Sequence, residues 1–120
     1  MNKQIAVNVQ TIIDAETIVA SGSYETSAID LGNINGTMSL QYAITGDGTL
    51  KITYTVSNDG VNYVLPTGGA DIAANLTKSS GTSGKDIIAF TPPLAKFLKI
   101  KATETGTSNS ATITLTAAIK

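Results

Sequence analysis

The chain has 120 residues, eight Lys against nine Asp and Glu, a net charge of −1, and no His, Cys, Arg or Trp. Without Cys there are no disulfides, thiolate chemistry or Cys-ligated metals, and without a basic surplus there is no electrostatic footprint for nucleic acid. Charged residues make up 14% and Thr alone occurs 18 times, so the surface of this single domain is covered by hydroxyls and amides, where soluble domains typically carry about 25% charge.

The N-terminal segment MNKQIAVNVQTIIDAETIVA is interrupted by Gln4, Asn8, Gln10, Asp14 and Glu16. It therefore lacks the unbroken apolar stretch of about 7–15 residues that a cleaved signal needs. No run approaches the roughly 18 apolar residues of a membrane helix. Ile5, Val7 and Val9 alternate with Ala6 and Asn8, the pattern of a first strand or extended arm. Residues 1–20 are read as this arm or first strands, and residues 21–120 as the body of one domain. Ile12–Ala20 is apolar but less regular.

A strand near Ser23–Leu31 leads through the turn Asn33-Ile34-Asn35-Gly36 into two well-marked runs. Met38, Leu40, Tyr42 and Ile44 alternate with Ser39, Gln41 and Ala43. Leu50, Ile52, Tyr54 and Val56 alternate with Lys51, Thr53 and Thr55. Side chains on a strand point to opposite faces in turn, so each run is a half-buried strand. The Gly46-Asp47-Gly48 link between them predicts a hairpin. Ser57-Asn58-Asp59-Gly60 predicts a second tight turn, with Val61–Leu65 as the third strand of a meander over 37–65.

Residues 66–84 read PTGGADIAANLTKSSGTSG, a long connection with a short strand expected near Ile72–Leu76 and an exposed tip at Thr77–Gly84. Lys85–Phe90 is a weaker strand ended by Pro92-Pro93. Leu98, Ile100 and Ala102 alternate with Lys99, Lys101 and Thr103. Ala111, Ile113, Leu115, Ala117 and Ile119 alternate with Thr112, Thr114 and Thr116. The six residues Thr105–Ser110 predict a hairpin between these strands. No 3.6-residue stripe and no repeat is present. About eight short strands separated by turn signals predict an all-β antiparallel sandwich, jelly-roll-like.

Each chemical candidate has a plainer structural reading. Asp47 and Asp59 sit in Gly- and Asn-rich turns, but each turn offers one carboxylate where Ca²⁺ wants 6–8 oxygens, and turn geometry accounts for both residues. Ser79 and Ser80 lie near Lys78 and Lys85, yet a Lys acting as base must be desolvated, and a Gly/Ser-rich tip is solvated. Lys96, Lys99 and Lys101 form a basic stripe, either for an anionic protein partner or as a soluble strand edge. Glu25, Asp30, Asp71 and Asp86 are scattered acids with no spacing that defines a hydrolytic pair. No catalytic, cofactor-binding or metal-binding residue is assigned. The expected partner contacts are Ile5, Val7, Val9, Lys78, Lys85, Lys96, Lys99 and Lys101, carried by the arm Met1–Gln10, the loop Thr67–Lys85 and the basic stripe.

Ser57-Asn58-Asp59-Gly60-Val61-Asn62-Tyr63 resembles the Ser-x-Asp-Gly-x-x-aromatic turn of many all-β modules. Phe90–Ile100, followed by Thr-rich strands to Ile119, resembles small β-sandwich virion proteins of tailed bacteriophages, over about residues 23–119. The resemblance carries no functional residue across. It implies a non-enzymatic capsid decoration (cement) protein, a homo-oligomer with a trimer as the symmetric candidate. Such a protein would bridge major capsid subunits on the virion surface after assembly in the host cytoplasm, with no cofactor, nucleic acid or membrane partner. The alternatives are a tail, baseplate or fibre component, and a carbohydrate- or cell-surface-binding module.

Overall fold

The computed structural model describes residues 8–31 and 37–120. Ile5, Val7 and the 33–36 turn lie outside the described residues. The rest forms nine strands and no helix: β1 (Asn8–Ile18), β2 (Ser23–Glu25), β3 (Ile29–Asp30), β4 (Met38–Gly46), β5 (Leu50–Ser57), β6 (Ala73–Leu76), β7 (Lys85–Phe90), β8 (Phe97–Glu104) and β9 (Ala111–Ile119). They make two antiparallel sheets. The first runs β1-β9-β4-β7, and the second β2-β8-β5-β6, with β3 also against β8. The pairing is nested: β1 with β9, β2 with β8, β4 with β7, β5 with β6. The result is an all-β antiparallel sandwich, the class the alternating runs predict.

Two predicted hairpins are overturned. β4 lies between β9 and β7, and β5 between β8 and β6, so β4 and β5 are in different sheets. β8 and β9 are likewise in different sheets. Both short links cross the sandwich instead of reversing within a sheet, and they do so side by side. The Gly48 amide donates to the Ser110 carbonyl at 2.9 Å. Gly46 takes φ +91°, and a Cβ there would lie 2.9 Å from the Ser110 oxygen, so only Gly fits. The apolar alternation is the same for a hairpin and for a crossing link, because in either case one face of each strand goes to the core. The third meander strand is also absent: Val61–Leu65 keeps only a bridge from Val64 to Val56.

The core is the layer between the sheets. Leu40, Leu50, Ile52, Leu98, Ile100, Ile113 and Leu115 are fully enclosed there, each worth roughly 1.5–3 kcal/mol of transfer free energy. The irregular 12–20 stretch falls in β1 as far as Ile18 and then leaves it for a turn. Its register with β9 slips between Thr11 and Ile13 and again between Ile13 and Glu16, and Ala15 takes φ +48°. These bulges let Ile13 and Ile18, five residues apart, both face inward, which strict alternation forbids.

Candidate functional site

Two loops meet at the end of the sandwich where β5 finishes and β8 begins. The first is organised by Asp59. Its Oδ1 accepts hydrogen bonds from Ser57 Oγ (2.8 Å), the Val61 amide (2.9 Å) and the Asn62 amide (2.8 Å), and its Oδ2 accepts one from Asn62 Nδ2 (2.8 Å). These donors hold the Asp59 carboxyl far below the usual carboxylate range, the Asn62 and Val61 amides foremost. Gly60 takes φ +75° with the Phe97 ring 3.2 Å from where a Cβ would sit. Paired 2.9 Å bonds between Val56 and Val64 then return the chain to β5. The turn signal in Ser57–Gly60 thus has its expected cause, although the segment after the turn is a loop and not a strand.

The second loop is Pro92-Pro93-Leu94-Ala95, stiffened by its two prolines and tied to the first because the Lys96 amide donates to Asn58 Oδ1 at 3.1 Å. Between the loops is a cleft of about 280 Å³ lined by Val56, Val64, Pro66, Pro93, Leu94 and Ala95 with the polar residues of the Asp59 turn. Leu94 is fully exposed, Val61 is 78% exposed, and Val64 and Leu65 are more than half exposed. These apolar side chains stand outward around the cleft instead of packing into the core. The Ser57 hydroxyl donates to Asp59 and accepts from the Gly60 amide.

A second cleft, of about 290 Å³, lies between β1 and the β2–β3 segment. It is more polar, with Asn8, Gln10, Tyr24, Thr26, Ser27 and Asp30 in its lining.

The structure disperses the predicted contact lysines. Lys78, on the β6–β7 connection, pairs with Asp47 on the β4–β5 link, which draws the Asp47 carboxyl below its ordinary value, the hydrogen bond acting more than the charge. Ser79 and Ser80 are used inside the same turn: Ser80 Oγ accepts from the Thr77 amide at 2.8 Å and Ser79 Oγ lies 3.1 Å from Thr77 Oγ1. Lys85 begins β7 at that end. Lys96 pairs with Asp30 at 3.3 Å. Lys99 Nζ lies 4.0 Å from Glu25 and 4.3 Å above the Tyr63 ring, and Lys101 stands opposite Glu25 in the β2–β8 pairing. The stripe on 96–101 is therefore interleaved with acids and a ring. Val9 is exposed on β1. Among the described residues, no three acids come close enough to hold a metal ion.

Reading the sequence for chemistry misses Glu104. It is 2% exposed, and its Oε1 accepts from the Ser21 amide (3.2 Å) and the Gly106 amide (2.9 Å), its Oε2 from the Thr49 amide (2.8 Å). The Thr49 bond lowers its pKa most, against desolvation, which raises it. A signal for it exists: Leu98, Ile100, Ala102 and Glu104 share one parity, so the alternation itself aims this acid inward.

No family model matches the chain, and no curated protein matches it. Solved structures do. The VP2 subviral particle of infectious bursal disease virus aligns with TM-score 0.63 at 10% identity, over 95% of this chain and 32% of that one. The PBSX exported protein XepA aligns with TM-score 0.61 at 9% identity, over 93% of this chain and 36% of that one. The chain thus spans about a third of the length of these two structures. At these identities the common property is the fold, an antiparallel β-sandwich.

Proposed function

We propose that the chain is a structural component of a virus particle, and in particular a bacteriophage capsid decoration protein. It would bridge major capsid subunits at the head surface as a homo-oligomer, without enzymatic activity. The observation that carries this reading is the rigid apolar rim formed by Val61, Val64, Leu65 and Leu94 on two loops locked by Asp59 and Asn58. Such a rim loses little conformational freedom on contact, so apolar burial is not spent on ordering it. The fold it shares with VP2 of a subviral particle supports the same direction.

The test is mass spectrometry of purified particles of the phage that encodes the chain, with heads separated from tails. Recovery with heads supports the proposal. Recovery with tails alone selects the tail, baseplate or fibre reading, and absence from particles overturns both. Added back to heads lacking it, the Leu94→Asp variant is expected to lose at least tenfold in occupancy while folding normally.

A second reading, a carbohydrate-binding module, is favoured by the polar cleft, where amides, hydroxyls and the Tyr24 ring converge. Glycan-array binding abolished by Tyr24→Ala would select it.

A further inference from the structure

A sandwich has sheet edges, and an edge strand offers unpaired N–H and C=O groups to another chain unless something blunts it. Three of the four edges here are blunted. β1 carries two bulges and a positive φ at Ala15. The β2–β3 side consists of strands of three and two residues. β6 has four residues, a register shift against β5, and a positive φ at Asn75. The fourth edge, β7, runs six residues in unbroken register with β4 and contains no Pro. Its Ile87 side chain is 59% exposed.

The phase of the β4–β7 ladder shows which groups face outward. The Ile44 amide donates to the Gly84 carbonyl at 2.9 Å, so the 44/84 pair is a hydrogen-bonded one. In an antiparallel ladder such pairs alternate. Asp86, Ile88 and Phe90 therefore bond β4, while Lys85, Ile87 and Ala89 aim their backbone groups at the free edge. Lys85 is already taken, exchanging bonds of 2.8 and 3.1 Å with Thr82. The Ile87 amide is covered in the isolated chain by Asp86 Oδ1 at 2.8 Å, a contact that a backbone carbonyl can replace. Among the described residues, what the edge presents is the N–H and C=O of Ile87 and of Ala89, two residues apart.

We infer that two copies of this chain join antiparallel through β7, about a two-fold axis at Ile88, so that the first sheets of both fuse into one eight-stranded sheet. That register sets Ile87 of one copy opposite Ala89 of the other, twice, and uses all the open groups in four hydrogen bonds. It is self-complementary, as an isologous contact must be. Charge selects the same orientation: parallel pairing would align Lys85 with Lys85 and Asp86 with Asp86, whereas here Asp86 faces Phe90 and Lys85 lies beyond the bonded pairs. Ile87 and Ala89 also share the outer face of the sheet, where β4 and β9 present Ser39, Gln41, Thr114 and Thr116 without charge. The inference does not depend on the virion reading.

The experiment is the mass of the full chain in solution by light scattering across about 5–200 μM, for the native protein, Ile87→Lys and Ala89→Pro. The Ala89 N–H faces the edge, so Pro removes an intermolecular donor and spares the bond to β4. The expected result is a native dimer and two monomeric variants with native circular dichroism. A native monomer or trimer, or a dimer that survives both changes, overturns the inference. Because the chain has no Cys, oxidative trapping checks the register with either variant's fold set aside. Ile87→Cys mixed with Ala89→Cys should cross-link as a heterodimer, since facing Cα atoms about 5.5 Å apart can be bridged. Each alone should cross-link at least tenfold more slowly. Equal rates for the mixture and the single variants would refute the register.

Discussion

Glu104 Oε2 accepts a hydrogen bond from the Thr49 amide at 2.8 Å, joining the end of β8 to the link between β4 and β5. Its other oxygen holds Ser21 and Gly106, and Ser21 Oγ donates to the Gly106 carbonyl at 2.7 Å. One buried carboxylate thereby gathers three connections that are far apart in the chain. Its negative charge is met by amide dipoles, which is enough to keep it ionised.

Replacing Glu104 by Gln turns one acceptor oxygen into a donor facing amide donors, so the variant melts several degrees below the native protein at pH 7. The pH dependence has a definite sign. The folded pKa of Glu104 is depressed, so its contribution is present above the ordinary glutamate pKa of about 4.3 and is lost as pH falls through the folded value. The gap in melting temperature between native and Glu104→Gln proteins should therefore narrow from pH 6 to pH 3. A gap that stays constant over that range would show that the ionised form is not what holds the three links.

Gly46→Ala tests the crossing link. The φ of +91° and the 2.9 Å approach to the Ser110 oxygen act together, and a loss of about 1–3 kcal/mol is expected from the backbone conformation alone. Chemical denaturation should show a lower midpoint with an unchanged slope. A neutral outcome would mean that the link tolerates a rearranged crossing.

Leu98→Ala removes a fully enclosed side chain from the middle of the second sheet. The expected cost is about 2–5 kcal/mol. Leu94→Ala, on the exposed rim, should leave stability unchanged within about 0.5 kcal/mol. If the two proved equal, the rim would be part of the core and not a contact surface.

Asp59→Ala takes away the acceptor for two amides, one hydroxyl and one side-chain amide. Hydrogen exchange at Val61 and Asn62 should accelerate by more than tenfold while the β8 and β9 amides keep their protection. Unchanged exchange at these two positions would place the rigidity of the loop elsewhere, with the Val56–Val64 bonds.

Fold class was legible because alternation is a local signal: Met38–Ile44, Leu50–Val56, Leu98–Ala102 and Ala111–Ile119 all reach the core with the parity the sequence assigns. Sheet membership was not. Gly46-Asp47-Gly48 serves a hairpin or a crossing link equally well, and only contact with the distant Ser110 decides between them. The bulges of β1 hid its inward residues for a related reason, since Ile13 and Ile18 break period two. The apolar rim went unread because Val61, Val64 and Leu65 look like a strand, and exposure cannot be told from composition. The lysines were legible, but their nearest acids, Asp30, Asp47 and Glu25, come from distant segments.

The nesting of β1 against β9 has a consequence for the order in which the protein can be made. β9 is the strand that separates β1 from β4, and it leaves the ribosome after the other eight. Until Ala111–Ile119 has emerged, β1 has no partner and β4 lacks one of its two, so the first sheet cannot close before that point. Closure must bridge a sequence separation of 95 between Thr17 and Thr112, whose hydroxyls meet at 2.9 Å. Folding dominated by such distant pairings runs on the millisecond-to-second scale. A nascent chain stalled before residue 111 should accordingly be open to protease throughout, with a protected body emerging only once the final strand is free.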